Sequence, residues 1–337
     1  MPPTGTCSVD SHEPKTMLAV SATAPNAENP LLGLKIDRVP LPKVPKGWVR
    51  VRLSAAALNY HDIFTLQGVA VHPLKFPRIL GCEGCGTLDD GTPVILYPVM
   101  NDPDYLGDET LDPHRHVFHE ITEGTLAEYV IAPSRNVLPR PSDLDATHGA
   151  VLGISWLTAY RMIFTKSGLR PGQTMLVQGS SGGVSTALIQ LGAAAGIRVW
   201  CTGRSAEKRD LAVKLGAERT FAPGEPLPSQ VDAVFDTSGA ATWEHSLASV
   251  KPGGSIVTCG AHRGFKVSMD LLRIFNDQIS IHGVYAGTLR EFKDLIQFVI
   301  SKRISPMIGA VVPLSDAHRA MKDILEGVTS GKTVLTA

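Results

Sequence analysis

Apolar and polar positions follow two different patterns along the chain, and the change lies near residue 150. In the first part, short apolar runs alternate with turns, and Trp48-Val-Arg-Val-Arg-Leu53 has the two-residue alternation of a half-exposed strand. From Gln173 onward, apolar strands alternate with segments of helical spacing, which predicts a parallel sheet covered by helices. The pattern therefore predicts an α/β protein in which a mostly β domain precedes a doubly wound domain.

The strand, turn and helix of residues 174–196 form the best-defined unit of the second domain. A short apolar run, Met175-Leu-Val177, precedes the cluster Gly179-Ser-Ser-Gly-Gly183, and apolar positions at helical spacing follow from Val184. Glycines let the backbone approach a pyrophosphate, and the free N–H groups of the helix start hold its negative charge. Serines replace some glycines of the strict motif, so an ordinary tight turn is the alternative. We interpret the segment as a dinucleotide site because a second strand follows it.

That second strand, Arg198-Val-Trp-Cys-Thr202, ends where dinucleotide-binding proteins usually carry an acidic residue for the ribose 2′-hydroxyl. Here Gly203-Arg-Ser205 follows, with Lys208 shortly after, and no carboxylate stands at the usual position. Arg204 and Lys208 offer positive charge to a 2′-phosphate, and Ser205 offers a hydroxyl. This replacement favours NADP over NAD.

Further strands are predicted at residues 231–236, 255–259 and 278–282. Six strands with intervening helices match two mononucleotide-binding halves, so Gly179, Thr237 and Gly260 are expected to face one crevice.

Three helices and a final strand are predicted outside this sheet. One helix crosses from Ala146 to Phe164, a second follows the capping box Thr288-Leu-Arg-Glu291, and a third begins at a Ser315 cap. The end of the chain, Gly331-Lys-Thr-Val-Leu335, is predicted as a strand that fits the first domain better than the doubly wound sheet.

Composition narrows the class of protein. The 337 residues are 43% hydrophobic and 19% charged, as in ordinary soluble globular proteins. The 32 basic and 32 acidic residues balance, which argues against a nucleic-acid surface or a polybasic membrane patch. Residues 1–15 lack the pattern of a secretory signal, and no apolar run is long enough to cross a bilayer. Five cysteines, an odd number, fit a reducing compartment, so we expect a cytoplasmic protein.

Two groups of side chains have spacings that metal sites also use. Cys82 and Cys85 are spaced as CxxC, but no second ligand pair or thioredoxin-like setting accompanies them, so we expect small residues in a crowded turn. His114, His116 and His119 follow a polar segment rich in turn residues. A solvated loop is the expectation there, and a metal site is the alternative.

Six short motifs follow one another over nearly the whole chain. They are Leu58-Asn-Tyr-His-Asp62, Pro77-Arg-Ile-Leu-Gly-Cys-Glu-Gly84, Gly124-Thr-Leu-Ala-Glu-Tyr129, Leu157-Thr-Ala-Tyr160, Gly179-Ser-Ser-Gly-Gly-Val184 and Gly331-Lys-Thr-Val334. In this order they resemble the medium-chain dehydrogenase/reductase superfamily. Within it, the chain is most similar to the quinone oxidoreductase and zinc-type alcohol dehydrogenase-like branches.

The resemblance implies a GroES-like catalytic domain over residues 1–150, an NADP-binding Rossmann domain over 151–287 and a return to the catalytic domain over 288–337. It also implies a small-molecule substrate and a homodimer built on the edge strand near 279–284, with a monomer as the alternative. NADPH is the expected cofactor. The positions expected to bind it, from the residues and the family motifs together, are Thr158, Gly179, Ser180, Ser181, Gly182, Gly183, Val184, Thr202, Arg204, Ser205, Lys208, Thr237, Ser238, Gly260, Ala261, Tyr285, Gly287 and Lys332.

The chain departs from the zinc alcohol dehydrogenases of this superfamily at the metal ligands. Those enzymes carry a catalytic Cys in the first motif, a His in a Gly-His-Glu motif and a second Cys entering the central domain. The matching positions here are Asn59, Cys82 and Ile154, and only Glu83 remains. Asn and Ile cannot replace thiolate ligands, and the four-cysteine lobe for structural zinc is missing too. We therefore predict no metal.

Loss of zinc changes which reaction the chain can support. Alcohol oxidation needs a group that stabilises an alkoxide, whereas reduction of an activated C=C bond needs only hydrogen-bond donors for an enolate. Tyr60 is the expected donor, and Asn59 and Asp62 are the other catalytic candidates. A packed aromatic is the alternative for Tyr60, a helix cap is the alternative for Asp62, and His61 is expected in a surface loop.

The sequence thus predicts an NADPH-dependent reductase of enones, enoyl compounds or quinones. One alternative is a zinc-type alcohol dehydrogenase that uses Cys82 and Glu83, and another is a protein that binds NADPH without turnover. Substrate specificity is expected from the loops at residues 68–76 and 101–121.

Overall fold

The computed structural model describes residues 15–70 and 72–337, which form a β-rich unit and a parallel α/β unit. The β-rich unit begins with β1 (Thr16–Ala22), β2 (Leu34–Pro40), β3 (Trp48–Ala57), α1 (Tyr60–Gln67), β4 (Arg78–Ile79), β5 (Gly84–Leu88), β6 (Pro93–Leu96), β7 (Val99–Met100), β8 (His116–Val117), β9 (Tyr129–Pro133) and β10 (Val137–Pro139). The long strand β3 is central, because it pairs antiparallel with both β5 and β9. The strand predicted at residues 48–53 therefore exists and continues to Ala57.

A helix with two π-type turns joins the units. It begins as α2 (Ala146–Gly149), widens at Leu152–Trp156, continues as α3 (Leu157–Arg161) and widens again at Met162–Lys166. Asp145 caps its start by accepting the Thr147 and His148 N–H groups. The predicted crossing helix is confirmed, and its first π-type turn, of a kind often found at functional sites, carries Ile154 and Ser155.

The α/β unit follows. It contains β11 (Thr174–Gln178), α4 (Gly183–Ala194), β12 (Arg198–Thr202), α5 (Ala206–Lys214), β13 (Arg219–Phe221), β14 (Val231–Asp236), α6 (Trp243–Ser249), β15 (Val250–Thr258), α7 (Leu271–Asn276) and β16 (Ser280–Gly283). Its six strands are parallel, in the order β13-β12-β11-β14-β15-β16. The predicted doubly wound sheet is therefore confirmed.

Burial explains why residues 174–196 form strand and helix. All five residues of β11 are buried, as expected for a central strand covered on both faces. Helix α4 buries Ala187, Leu188 and Leu191 on its apolar side. Gly192 lets the helix approach the sheet, because a Cβ there would lie 3.0 Å from Val199 Cγ2.

The end of the chain returns to the β-rich unit. It forms α8 (Leu289–Ser301), β17 (Ile308–Pro313), α9 (Ala317–Leu325) and β18 (Lys332–Thr336). Strand β18 pairs with β3 and β17, which places the last strand in the sheet of the first unit as predicted. The capping box of Thr288 and Glu291 at the start of α8 is also confirmed.

Some element boundaries differ from the prediction. Ser315 does not cap α9, because a short 3-10 turn over Leu314–Asp316 precedes the helix and makes Asp316 its N-cap. Strand β15 begins at Val250 rather than 255, and it passes residues 252–254 through a register shift against β14. No helix within residues 15–70 and 72–337 is long and apolar enough to cross a bilayer.

Candidate active site

The crevice at the carboxyl ends of β11, β14 and β15 has the turn of residues 179–183 as its floor. Gly179 has a φ of +108°, a conformation that L side chains rarely adopt. A Cβ on Gly182 would have only Ser185 Oγ within 4 Å, at 3.8 Å, so the turn is open on that side. No side chain caps α4 at its start, which leaves the first amide groups of the helix without intrahelical partners. This geometry fits a pyrophosphate.

Ser180 and Thr202 lie beside this turn and differ in what their hydroxyls do. Thr202 Oγ1 accepts the Gly179 N–H at 3.0 Å and donates to Gln178 Oε1 at 3.1 Å. These two hydrogen bonds stabilise the conformation of the turn. Ser180 Oγ is buried and has no hydrogen-bond partner within the described residues. A Cβ on Gly203 would lie 2.6 Å from Ser180 Oγ, so a larger residue there would have to displace the Ser180 side chain. The unpaired Ser180 hydroxyl fits a phosphate oxygen.

Arg204 and Lys208 lie together beside Gly327. Lys208 Nζ donates to the Gly327 carbonyl at 2.7 Å, and a Cβ on that glycine would lie 2.9 Å from Arg204 Nη2. Burial lowers the pKa of Lys208, and the charge of Arg204 lowers it further. Neither cation forms an ion pair in the part of the chain that the structure describes, which suits a phosphate partner. Ser205 instead caps α5, because its Oγ accepts the Lys208 N–H at 3.4 Å.

The loops after β14 and β15 are held against each other. Buried Asp236 accepts the Ser238 N–H at 2.8 Å, which fixes the turn after β14. His262 Nδ1 lies 3.0 Å from the Thr237 carbonyl oxygen and so joins the segment 260–261 to that turn. The positions predicted at these strand ends therefore lie together at one edge of the sheet, beside Gly179.

Thr158, Tyr285 and Gly287 lie at the junction of the two units. Thr158 is buried in α3, and the Gly287 carbonyl accepts the Tyr97 hydroxyl at 2.9 Å. The Tyr285 hydroxyl donates to Glu120 Oε2 at 3.3 Å. Burial raises the pKa of Tyr285 well above its usual value, and the charge of Glu120 raises it further. Tyr285 and Gly287 thus bond to the β-rich unit.

Lys332 and Asn59 belong to one buried polar cluster. Lys332 Nζ lies 2.9 Å from Glu83 Oε1 and 2.7 Å from Asn59 Oδ1. The Asn59 amide donates to Glu83 Oε1 at 2.8 Å, and Ser155 Oγ donates to Asn59 Oδ1 at 3.1 Å. The Lys332 ammonium and the Asn59 amide thus have protein partners, and their predicted contacts with cofactor and substrate stay predictions.

Asp62, another of the catalytic candidates, accepts hydrogen bonds from the backbone. Its Oδ2 accepts the Asn59 N–H and its Oδ1 accepts the Gly81 N–H, both at 2.8 Å. With Asn59 it forms a capping box at the start of α1. Burial acts to raise the pKa of Asp62, but His119 and these two N–H groups lower it overall. Because Asp62 is fully buried, it positions the loop that carries Tyr60 instead of reaching a substrate.

Tyr60 is the exposed member of the three catalytic candidates, with 36% of its surface accessible. It is the first residue of α1, and its ring packs edge-on against Phe64 with centroids 5.1 Å apart. The ring centroid of His262, from the other unit, lies 5.3 Å away. Tyr60 therefore borders both units, and its hydroxyl makes no hydrogen bond within the described residues.

His61 and Glu120 form a pair that the sequence did not indicate. His61 Nε2 lies 3.2 Å from Glu120 Oε1, and the His61 side chain remains 29% exposed. Glu120 also accepts the Val117 N–H at 2.8 Å. Burial acts to raise the pKa of Glu120, but His61 beside it and the Val117 N–H lower it to about 2. An ionised carboxylate therefore lies beside the His61 imidazole, next to Tyr60.

The expectation of a solvated loop is wrong for His119. This residue is fully buried, with Nε2 3.2 Å from Thr65 Oγ1. Its φ of +63° turns the chain after β8 back onto α1. His114 is exposed and His116 is half-buried. Cys82 and Cys85 are both buried and free; Cys82 lies in the turn before β5, as expected, but Cys85 lies within β5.

Two models of protein families match parts of the chain. The model of the alcohol dehydrogenase GroES-like domain matches residues 45–142, and that of the zinc-binding dehydrogenase matches residues 183–301. The acryloyl-coenzyme A reductase of Sulfurisphaera tokodaii is 30% identical over 328 aligned residues, which cover 90% of this chain and 97% of that one. The chain belongs to the medium-chain dehydrogenase/reductase superfamily.

Other members of the superfamily agree with this assignment. The quinone oxidoreductase of Mus musculus is 30% identical over 314 aligned residues, which cover 88% of this chain and 89% of that one. The crystal structure of an NAD-dependent alcohol dehydrogenase is 31% identical, with a TM-score of 0.89 and coverage of 95% and 100%. The protein is therefore an oxidoreductase with a nicotinamide dinucleotide cofactor, built from GroES-like and Rossmann units.

The zinc of other superfamily members does not fit the donors present here. Burial raises the pKa of the Cys82 thiol well above its usual value, and nearby carboxylates raise it further, which disfavours the thiolate that zinc binds. Glu83 Oε1 accepts from Lys332 at 2.9 Å, and Glu83 Oε2 accepts the Ile154 N–H at 2.7 Å. Within the described residues, no three His, Cys, Asp or Glu side chains are placed to hold a metal ion.

Proposed function

We propose that the protein is an NADPH-dependent reductase of activated C=C bonds, in enones, enoyl compounds or quinones, and that it works without a metal ion. The observation that carries this proposal is the pairing at the metal positions. Asn59 and Glu83 bond to each other and to Lys332, whereas Tyr60 is exposed and its hydroxyl makes no hydrogen bond within the described residues. Hydrogen-bond donors, and not a Lewis acid, are what the chain offers to a carbonyl.

The cofactor half of the mechanism rests on the Rossmann unit. The turn of residues 179–183 and the uncapped start of α4 would hold the pyrophosphate, with the Ser180 hydroxyl as a further donor. Arg204 and Lys208 would bind the 2′-phosphate that distinguishes NADPH from NADH. When bound there, the dinucleotide would supply a hydride for the carbon β to the carbonyl group of the substrate.

The substrate half of the mechanism rests on Tyr60. Hydride addition places negative charge on the carbonyl oxygen, and the Tyr60 hydroxyl would donate a hydrogen bond to that enolate. The α-carbon then takes a proton, either from Tyr60 or from water. The ring centroids of Phe64 and Phe265 lie 6.0 Å apart, so these two rings pack against each other across the two units.

The test is NADPH oxidation by the purified protein with an enone, an enoyl thioester, a benzoquinone and a saturated aldehyde, each with and without a chelator. We expect turnover with at least one of the first three, no turnover with the aldehyde, and no effect of the chelator. Alcohol oxidation that is lost on chelation and restored by zinc would favour a zinc-type alcohol dehydrogenase. Thermal stabilisation by NADPH without turnover of any acceptor would favour a non-catalytic NADPH-binding protein.

We also propose a homodimer that forms through the edge of the parallel sheet. Strand β16 lies at that edge, and the segment before it exposes a run of large apolar side chains. These are Phe265, Val267, Met269, Leu271, Leu272 and Phe275. A second copy would pair with the open strand edge and cover the apolar surface in one symmetric contact.

A further inference from the structure

The two loops that are expected to set substrate specificity meet at Arg115. This residue belongs to the loop of residues 101–121, and its carbonyl oxygen lies 3.0 Å from Nε2 of His72, in the loop of residues 68–76. Its side chain is held as well, because Nη1 donates to the Asp112 carbonyl oxygen at 3.0 Å. The position of Arg115 is therefore fixed by both segments that the sequence predicts to contact a substrate.

The guanidinium group of Arg115 lies over the ring of Tyr285, at the junction of the two units. Its Cζ is 5.0 Å from the ring centroid, a distance at which a cation is attracted by an aromatic face. The Tyr285 hydroxyl donates to Glu120 Oε2, and the other oxygen of Glu120 lies 3.2 Å from His61 Nε2. Two side chains thus connect Arg115 to the neighbour of Tyr60, the proposed donor to the substrate.

The charge of Arg115 has no counter-ion in contact with it. Asp112 uses both carboxylate oxygens on the backbone, because Oδ1 accepts the His114 N–H and Oδ2 accepts the Asp102 N–H, both at 2.7 Å. Within the described residues, Arg115 forms no ion pair and its Nη2 makes no hydrogen bond. The side chain is half-buried, so water solvates this cation only in part. A guanidinium in this state is suited to bind an anion.

We propose that Arg115 selects substrates that carry an anionic group, a proposal that rests on the proposed reduction of an activated C=C bond. Nη2 would donate to an oxygen of a carboxylate or a phosphate, while the Asp112 carbonyl and the Tyr285 ring hold the guanidinium in place. A neutral enone or quinone would leave the half-buried cation unpaired and would bind less tightly. Arg115 is thus a specificity-determining residue of the substrate side.

The test compares charged and neutral forms of the same acceptors. β-Acetylacrylate and its methyl ester test a carboxylate, and crotonyl-coenzyme A and crotonyl-pantetheine test a phosphate. In at least one pair, the wild type should have the higher kcat/KM for the anion. Arg115→Gln should lower that kcat/KM by about 10-fold to 100-fold, with little change for the neutral partner. The pair that responds identifies the source of the anionic group.

Two further variants are the controls. Arg115→Lys keeps the charge and should retain part of the preference, although it loses the planar fork of the guanidinium. Arg290→Gln, at the exposed arginine of α8, should retain all of it. The KM for NADPH should be the same in every variant. An equal effect of Arg115→Gln on the anion and its neutral partner in both pairs, or a rise in the KM for NADPH, would overturn the proposal.

A binding measurement separates this proposal from the proposed reaction. The saturated anions levulinate and butyryl-coenzyme A are added with NADP⁺, which has no hydride to transfer, and each is compared with its neutral partner, methyl levulinate or butyryl-pantetheine. At least one anion should raise the Tm of the wild type more than its partner does, and Arg115→Gln should abolish this difference. Equal Tm values for both pairs would overturn the role of Arg115, whether or not the protein reduces any acceptor.

Discussion

His119 Nδ1 lies 3.2 Å from Asp62 Oδ1, and neither side chain is more than 1% exposed. The other ring nitrogen lies 3.2 Å from Thr65 Oγ1, so the histidine joins the chain after β8 to α1 at two points. Burial lowers the pKa of His119, and the positive charge that His61 can carry also lowers it, against the opposing effect of Asp62. The helix start that carries Tyr60 is therefore stabilised by contacts with a histidine that is neutral at neutral pH.

Mild acid is expected to destabilise the fold through this histidine. In the unfolded chain His119 takes up a proton as the pH falls below about 6.5, whereas in the folded chain its lowered pKa keeps it neutral. The unfolded state then binds more protons, so the free energy of unfolding decreases with falling pH. His119→Asn, a residue that tolerates the φ of +63°, should flatten this decrease in urea unfolding measured from about pH 7.5 to about pH 5.

The control for this prediction is another histidine of the same loop. His114 is exposed, so His114→Asn should keep the pH dependence of the wild type. The same slope in the wild type and in His119→Asn would contradict the buried neutral state of His119.

Replacement of Arg204 by Ala is expected to weaken NADPH binding selectively. Loss of a hydrogen bond to a charged group corresponds to about 10-fold to 100-fold in affinity, and only NADPH carries the 2′-phosphate. Steady-state kinetics should therefore show a KM for NADPH that rises by about this factor, with a small change for NADH. Arg290→Ala, at an arginine on α8 whose side chain is 92% exposed, should leave both constants unchanged. An equal effect on both cofactors would refute the 2′-phosphate site.

The cofactor crevice could be predicted because its signals are local. β11, the turn at Gly179, the start of α4 and Arg204 follow one another in the sequence, and each has a residue type with a conformational or electrostatic reason. Strand period, glycine placement and helix start are properties of neighbouring residues. The parallel sheet and the return of β18 to the first unit followed from the same kind of pattern.

The substrate side was less predictable, because its contacts join distant segments. Lys332 Nζ bonds to Asn59, which is 273 residues away in the sequence, and no local pattern reports such a pair. His119 follows a stretch rich in Asp and Pro, which is typical of a solvated loop, yet tertiary packing buries it on α1. The sequence showed that Tyr60, His61 and Asp62 are consecutive residues. It did not show which of the three side chains stays accessible.

Charge on the apolar surface before β16 is expected to prevent dimerisation. Leu272 and Phe275 are 65% and 68% exposed in the isolated chain, so Leu272→Glu/Phe275→Glu should not disturb the fold. Light scattering should give twice the chain mass of 36.0 kDa for the wild type and the single-chain mass for the variant. Leu32→Glu, at an exposed leucine of the β-rich unit, should remain dimeric. A monomeric wild type, or a dimeric variant, would contradict the proposed contact.

Removal of the Tyr60 hydroxyl is expected to slow reduction without loosening the fold. The ring of Tyr60→Phe can keep its contacts with Phe64 and His262, so the Tm should stay near that of the wild type. Removal of one donor to a developing oxyanion typically costs about 10²-fold to 10³-fold in kcat, and the KM should change little. The control is Tyr160→Phe, in which a tyrosine packed against Phe164 loses the same atom away from Tyr60. A wild-type kcat for Tyr60→Phe would contradict the role of Tyr60 as the donor to the enolate. His61 would then be the next candidate for that role.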